Sequence, residues 1–231
     1  MVLKLLHKLV DEEWILDALL LDFFSLKRKY KFNNEEKEAR FIFSYLKNMR
    51  WKNDRVAIFA LNLLDLHKNI GIYSYDYALY NVLKRNYKYL KDKIFYTISS
   101  DYEKGEILII DLLREIGYRV IEHDNLDFSS NVRKYDAVII GARLICSRGI
   151  ASRRGAYLVA KICYKFKIPV YVFAHSGWII TSIRFKQVRQ QIILDKYFHL
   201  YDFIPLRYIT YIITDRRLYT SKDLAHYLSA N

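Results

Sequence analysis

Residues 137–194 hold Arg143, Arg148, Arg153, Arg154, Lys161, Lys165, Lys167, Arg184, Lys186 and Arg189, and not one carboxylate. Chain-average composition would place about six acids in a span of that length. Soluble surfaces normally intersperse both signs, so this interval sets up a field of one sign that draws polyanions. Guanidinium groups match phosphate with two parallel N–H donors. Arg143, Arg148, Arg153, Arg154, Arg184, Lys186 and Arg189 are therefore expected to contact phosphates, either of a nucleic-acid backbone or of a sugar phosphate. Trp178, Phe185 and Tyr197 interleave with them and suit base stacking, or else belong to the core. The plainer account of the interval is a solvated face with no partner.

Other chemistry is thinly represented. His7, His67, His123, His175, His199 and His226 are scattered, without an HExxH or an i,i+4 pair. His175 directly follows an expected strand, an active-site address in α/β folds, but no acid lies nearby in sequence to orient it. Cys146 sits in the Arg-rich stretch, where a thiolate would be stabilised; a packed, inert thiol is the alternative. Cys146 and Cys163 have no CxxC or Cys/His spacing, so neither a metal site nor a disulfide framework is expected. Glycines form neither GxGxxG nor a P-loop, and no cofactor is expected.

The elements that must position these residues are legible in outline. The chain has 231 residues, 52% apolar and 27% charged, with 38 Lys and Arg against 25 Asp and Glu for a net charge of +13. That composition is globular. Its apolar runs are too short to span a bilayer, the richest, Ile15 to Phe24, being interrupted by Asp17 and Asp22. Asp11, Glu12 and Glu13 follow the first apolar residues before any cleavage site, which argues against a secretory signal and for a cytoplasmic protein. Abundant Tyr, Ile and Lys fit a thermophile.

Residues 1–54 lack Gly and Pro and read as a small helical module. Leu6, Leu9, Val10, Ile15, Leu16, Leu19, Leu20, Phe23 and Phe24 form one apolar face. Asn34 caps a further helix with Phe41, Ile42, Tyr45 and Leu46 as its stripe, and Val56 to Leu66 reads as a separate helix. Residues 55–231 form an α/β domain. Strands are expected at Ile70–Ser74, Ile94–Ile98, Arg119–Glu122, Ala137–Gly141 and Val170–Ala174, with another near Tyr201. Helices at Asp76–Asn86, Glu106–Gly117 and Arg153–Phe166 fall between them. This alternation implies a Rossmann-like, mostly parallel sheet with helices on both faces, which binds ligands outside the carboxyl ends of its strands. On that fold Arg143 and Arg148 follow a strand and Arg153 and Arg154 open a helix, all at the ligand edge, where helix N–H groups favour anions.

The segment GARLICSRGIASRRGAYLVAKICYKFKIPVYVFAHS, Gly141 to Ser176, resembles the translation initiation factor 2B α/β/δ family, whose fold is shared by ribose-1,5-bisphosphate and methylthioribose-1-phosphate isomerases. The family pattern is close to GADAI, NG, NK-x-GT, a helix, and a strand entered through Pro-Phe-Tyr-Val. YDFIPLRYITYIITDRRLYTSKDLAHYL is similar to its FD-x-x-P-x-x-I-T-x-x-x-T-[DE] ending, with Asp202, Pro205, Ile209, Thr210, Thr214 and Asp215 in register. Gly105 fits the family's middle glycine. The resemblance covers residues 70 to 228, and the N-terminal helical module agrees with the family's architecture. It implies a role in translation and association through the α/β domain, either with other copies or subunits or with initiation factor 2.

The departures from the pattern bear on activity. The isomerases use the Asp of GAD in proton transfer; Arg143 stands there, and a guanidinium is no general base at neutral pH. The Asn-Lys pair matches Ser152 and Arg153 if one residue is deleted. No cysteine occurs within Ile72 to Tyr77, where the catalytic one belongs, and Ser74 is its nearest counterpart. The phosphate-binding arginine is missing near Ser100. The expectation is a non-catalytic family member that binds the ribosome or ribosomal RNA. An isomerase with a rearranged site and a regulatory subunit binding initiation factor 2 are the alternatives.

Overall fold

The computed structural model describes residues 35–74, 76–99, 104–142, 144–146, 149–174, 176–179 and 201–230. The apolar face placed on residues 6–24 and the cap at Asn34 lie outside them. The chain divides into two compact units between Trp51 and Lys52, and the sheets belong to the second.

Helix α1, Glu35–Leu64, is continuous over 30 residues. Two helices were expected here. Nothing between them breaks the backbone, because Asn53 and Asp54 are accommodated in the helix: Asn53 is buried, and Asp54 accepts from Asn81 Nδ2 at 3.2 Å and pairs with Arg85 at 2.5 Å. A polar dipeptide without Gly or Pro does not by itself end a helix, and here Asp54 finds partners while the buried Asn53 Oδ1 has none among the described residues.

The main sheet follows. Strand β1, Asn69–Tyr73, leads into α2, Tyr77–Leu90; then come β2, Ile94–Ser99, α3, Lys104–Ile116, β3, Arg119–Asp124, and a short α4, Asn125–Asn131. After a 3-10 turn at Val132–Lys134 come β4, Ala137–Ile140, β5, Leu144–Cys146, β6, Gly149–Arg153, α5, Ala156–Phe166, and β7, Val170–Phe173. The described chain closes with β8, Tyr201–Ile204, β9, Tyr211–Ile213, β10, Leu218–Thr220, and α6, Ser221–Ala230. Seven strands pair in the order β10-β9-β7-β4-β1-β2-β3. All the pairings are parallel except β10 on β9. Every residue of β4 and β7 is buried, as strands covered on both faces require. The sheet builds outward from β1 in one direction through β2 and β3, and in the other through β4, β7 and β9. The reversal lies between β1 and β4, where doubly wound folds open a ligand crevice at the carboxyl ends. The Rossmann-like class expected from the β-branched runs is the observed one.

A second, antiparallel sheet in the order β5-β6-β8 was not expected. It corrects the placement of two arginines. Arg153 does not open a helix: it is the last residue of β6, opposite Tyr201, and Arg154 lies in the turn that follows. Helix α5 starts only at Ala156, after Gly155 at φ 95°. The three-residue β5 and the Gly149-led β6 are too short to show a period, and their partner β8 lies some fifty residues on.

Candidate anion-binding edge

Four chain segments meet at the carboxyl ends of the parallel strands, and each is pinned by a side chain engaged with backbone. Ser74 follows β1 in the left-handed region at φ 61°, nearly buried, a conformation that non-glycine residues hold only where surroundings impose it. Two residues later Asp76 caps α2, one carboxylate oxygen accepting from Leu79 N at 2.7 Å and the other from Ala142 N at 2.9 Å. One buried carboxylate thus ties the loop after β1 to the loop after β4, across the switch point. Ser152 Oγ donates to Gly141 O at 2.6 Å, so the residue standing for the family's asparagine fixes the glycine of the GAR triplet. The Tyr73 hydroxyl donates to Arg154 O. A Cβ on Gly155 would collide with that hydroxyl, which is why the turn into α5 carries glycine.

The start of α5 differs from expectation. Its free N–H groups were expected to attract an anion, but Asp202 of β8 already takes that place: Oδ2 accepts from Gly155 N at 2.7 Å and Tyr157 N at 3.3 Å. The pairing of β6 with β8, Ser152 opposite Asp202, carries the carboxylate there. Asp215 similarly accepts from Ser176 N and, at 3.0 Å, from Ser176 Oγ, joining β9 to the loop after β7. Thr210 Oγ1 accepts from Val170 N at 2.9 Å, and Thr214 Oγ1 bonds the 214–217 turn. The Asp, Thr, Thr and Asp of the C-terminal motif therefore hold backbone in place at the ends of α5, β7 and β9.

Of the seven arginines and lysines expected to bind phosphate, Arg143, Arg148, Arg184, Lys186 and Arg189 lie outside the described residues, as do His175, Phe185, Tyr197 and Ser100. Arg153 is half-buried, and Arg154 is exposed at the start of α5. Trp178 is buried to 8% exposure, so the core reading of that aromatic holds and it offers no stacking surface. Cys146 packs with Leu144 and Ala151 and is fully buried, which removes it as a reactive thiol. Burial pushes the Cys163 thiol up to about 12, leaving it protonated and inert. Among the described residues no group of His, Cys, Asp and Glu could hold a metal ion, and no helix is long and apolar enough to cross a membrane.

Residues 27–220 match the model of the Initiation factor 2 subunit family. The chain belongs to that family. Among solved structures, it is similar to the translation initiation factor eIF-2B of Pyrococcus horikoshii OT3, at TM-score 0.66 and 18% identity over 81% of this chain and 71% of that one. It is similar too to eIF2B beta of Chaetomium thermophilum, at TM-score 0.62 and 16% identity over 84% of this chain and 58% of that one. The eIF2B delta of the same fungus follows at TM-score 0.60 and 18% identity, over 87% of this chain and 72% of that one. The chain thus spans little more than half the length of eIF2B beta. No curated protein matches the sequence.

Proposed function

We propose that this family member acts in translation, in the cytoplasm, as a non-catalytic binding protein whose carboxyl edge grips the phosphates of ribosomal RNA. The observation that carries the reading is a substitution in kind. Where the resembling isomerases keep a proton-transferring acid the chain has Arg143, while Asp76, Asp202 and Asp215, the acids described at the same edge, each accept backbone N–H donors. Carboxylates held that way are fixed in place, which suits them to shaping a loop. Of the cations, Arg154 is exposed, and by sequence Arg143, Arg148, Arg184, Lys186 and Arg189 belong to the acid-free interval of a protein with net charge +13. Residues 1–54 would be a separate helical module and 55–231 the binding domain.

Incubation of the purified protein with ribosomes and sedimentation across a salt series tests this. Pelleting with ribosomes at low salt and release as salt rises is the expected result; a protein that stays in the supernatant even at low salt refutes it. An isomerase reading would require turnover of ribose 1,5-bisphosphate or methylthioribose 1-phosphate. The expected rate for the unaltered chain is none, and product formed from either means the edge transforms rather than grips.

A regulatory-subunit reading is favoured by one comparison. A tetrameric eIF2B-beta2-delta2 complex of C. thermophilum matches at TM-score 0.63 and 16% identity, over 84% of this chain and 65% of that one. Mass measurement of the protein alone and with initiation factor 2 separates self-association or factor binding from RNA binding.

A further inference from the structure

The outer face of α5 continues the acid-free interval away from the carboxyl edge, and it has a composition of its own. Ala156, Val159, Ala160 and Cys163 pack inward at helical spacing. Leu158, Lys161, Tyr164, Lys165 and Phe166 face solvent, with Tyr164 59% and Phe166 39% exposed. Two 3-10 turns flank the helix. Leu206–Tyr208 brings the Tyr208 ring edge-on to Tyr157 at 5.8 Å and to Tyr164 at 5.3 Å, and sets the Arg207 guanidinium over the Tyr208 ring at 4.8 Å. Val132–Lys134 sets Arg133 over the Phe166 ring at 5.7 Å, and Lys161 stands 5.7 Å over Tyr157. Beside Phe166, an open cleft of about 440 Å³ is lined by Arg133, Tyr135, Lys165, Phe166, Lys167 and Ile168.

Six cations, Arg133, Lys134, Lys161, Lys165, Lys167 and Arg207, share this surface. The ion pairs among the described residues involve Arg40, Arg85, Lys93 and Arg114 instead. We propose that the outer face of α5, with its two flanking 3-10 turns, is a binding surface for single-stranded RNA, distinct from the carboxyl edge.

Charge and shape select the ligand. Cations spread along a helix roughly 16 Å long do not converge on one small anion, but they can follow a chain of phosphates. Exposed rings interleaved with them are of no use to a duplex, whose bases are already stacked, whereas a single strand can lay bases on them. A second copy of the chain on a two-fold axis would bring each patch against its own duplicate, cation to cation. The choice of RNA over DNA rests on the translational reading above; the surface itself does not.

The test is fluorescence anisotropy of a labelled dodecameric oligouridylate with the full chain. Lys161, Lys165 and Lys167 are exposed, so K161Q/K165Q/K167Q is expected to fold normally. Its log–log salt slope should fall by about two relative to the natural chain, since each neutralised single-strand phosphate contributes roughly 0.7. Tyr164→Ala should weaken binding at least about fivefold with the slope unchanged, the signature of a lost stack. Unchanged affinity in both variants overturns the proposal. So does an oligoglutamate binding as tightly as the oligonucleotide, which would make the surface a site for acidic protein. Ribosome sedimentation of the same variants separates the two readings. If the natural chain and the variants pellet alike and bind the oligonucleotide alike, the α5 surface is dismissed and the edge stands. If the natural chain does not pellet yet binds the oligonucleotide through α5, the edge fails alone.

Discussion

A carboxylate's role here is set by what it accepts. Asp202 was in register with a family motif, but its task could not be read from the sequence, because its partners, Gly155 N and Tyr157 N, lie 47 and 45 positions away. The signal available was the motif aspartate itself, with no hint of which helix it would cap. Replacing it by alanine would leave two N–H groups at the start of α5 without an acceptor, at a cost of about 1–2 kcal/mol. Asp202→Asn, which keeps an acceptor oxygen, should recover most of that. Urea unfolding of the three proteins at constant m-value checks the ordering. Ser74 and Ser152 carry the same lesson: their positions were legible from the resemblance, whereas the left-handed backbone of one and the bond from the other to Gly141 O emerge only from packing.

Among the elements, five strands of the seven-stranded sheet could be placed to within a residue or two because β-branched runs such as Ala137–Ile140 and Val170–Phe173 are buried on both faces and stand out between helices, whereas the three-residue β9 and β10 were not expected. Of the antiparallel β5-β6-β8 sheet only the strand near Tyr201, β8, was legible; β5 and β6, three and five residues long, were not, β6 pairing with β8 across a long sequence gap, and missing β6 is what misplaced Arg153 and Arg154. One contact between elements yields a pH effect. His67, in the loop between α1 and β1, meets the Tyr171 hydroxyl of β7 at 2.8 Å through Nε2. Burial holds its pKa below the ordinary value of about 6.5, outweighing Asp136, with Lys93 adding to the depression. A histidine that resists protonation when folded costs nothing above that value. Below it the unfolded chain takes up protons more readily, so stability falls with pH. Melting temperatures from above pH 7 down to about pH 5 should show this decline, with a shallower one in His67→Gln. Identical declines would remove His67 as the cause.

At the scale of the whole molecule, the net charge of +13 is distributed unevenly, with an acid-free stretch running from the switch point through α5. The pattern was legible because charge needs no fold to be counted. Which of its members share a surface was not, since Arg153 turned into a strand while Lys161 and Lys165 lined up along one helix with Lys167 at its end. Long-range attraction of this kind supplies affinity that salt removes, and each lost phosphate contact lowers the salt slope by roughly 0.7 to 0.9. The most direct measurement is ribosome affinity of the natural chain and of R143Q/R148Q/R154Q across a salt series. A steep linear fall for the natural chain, made shallower by about two to three in the variant, is the expected result. Affinity that is absent at low salt, or equal in both proteins at every salt concentration, would contradict a cationic edge that grips RNA.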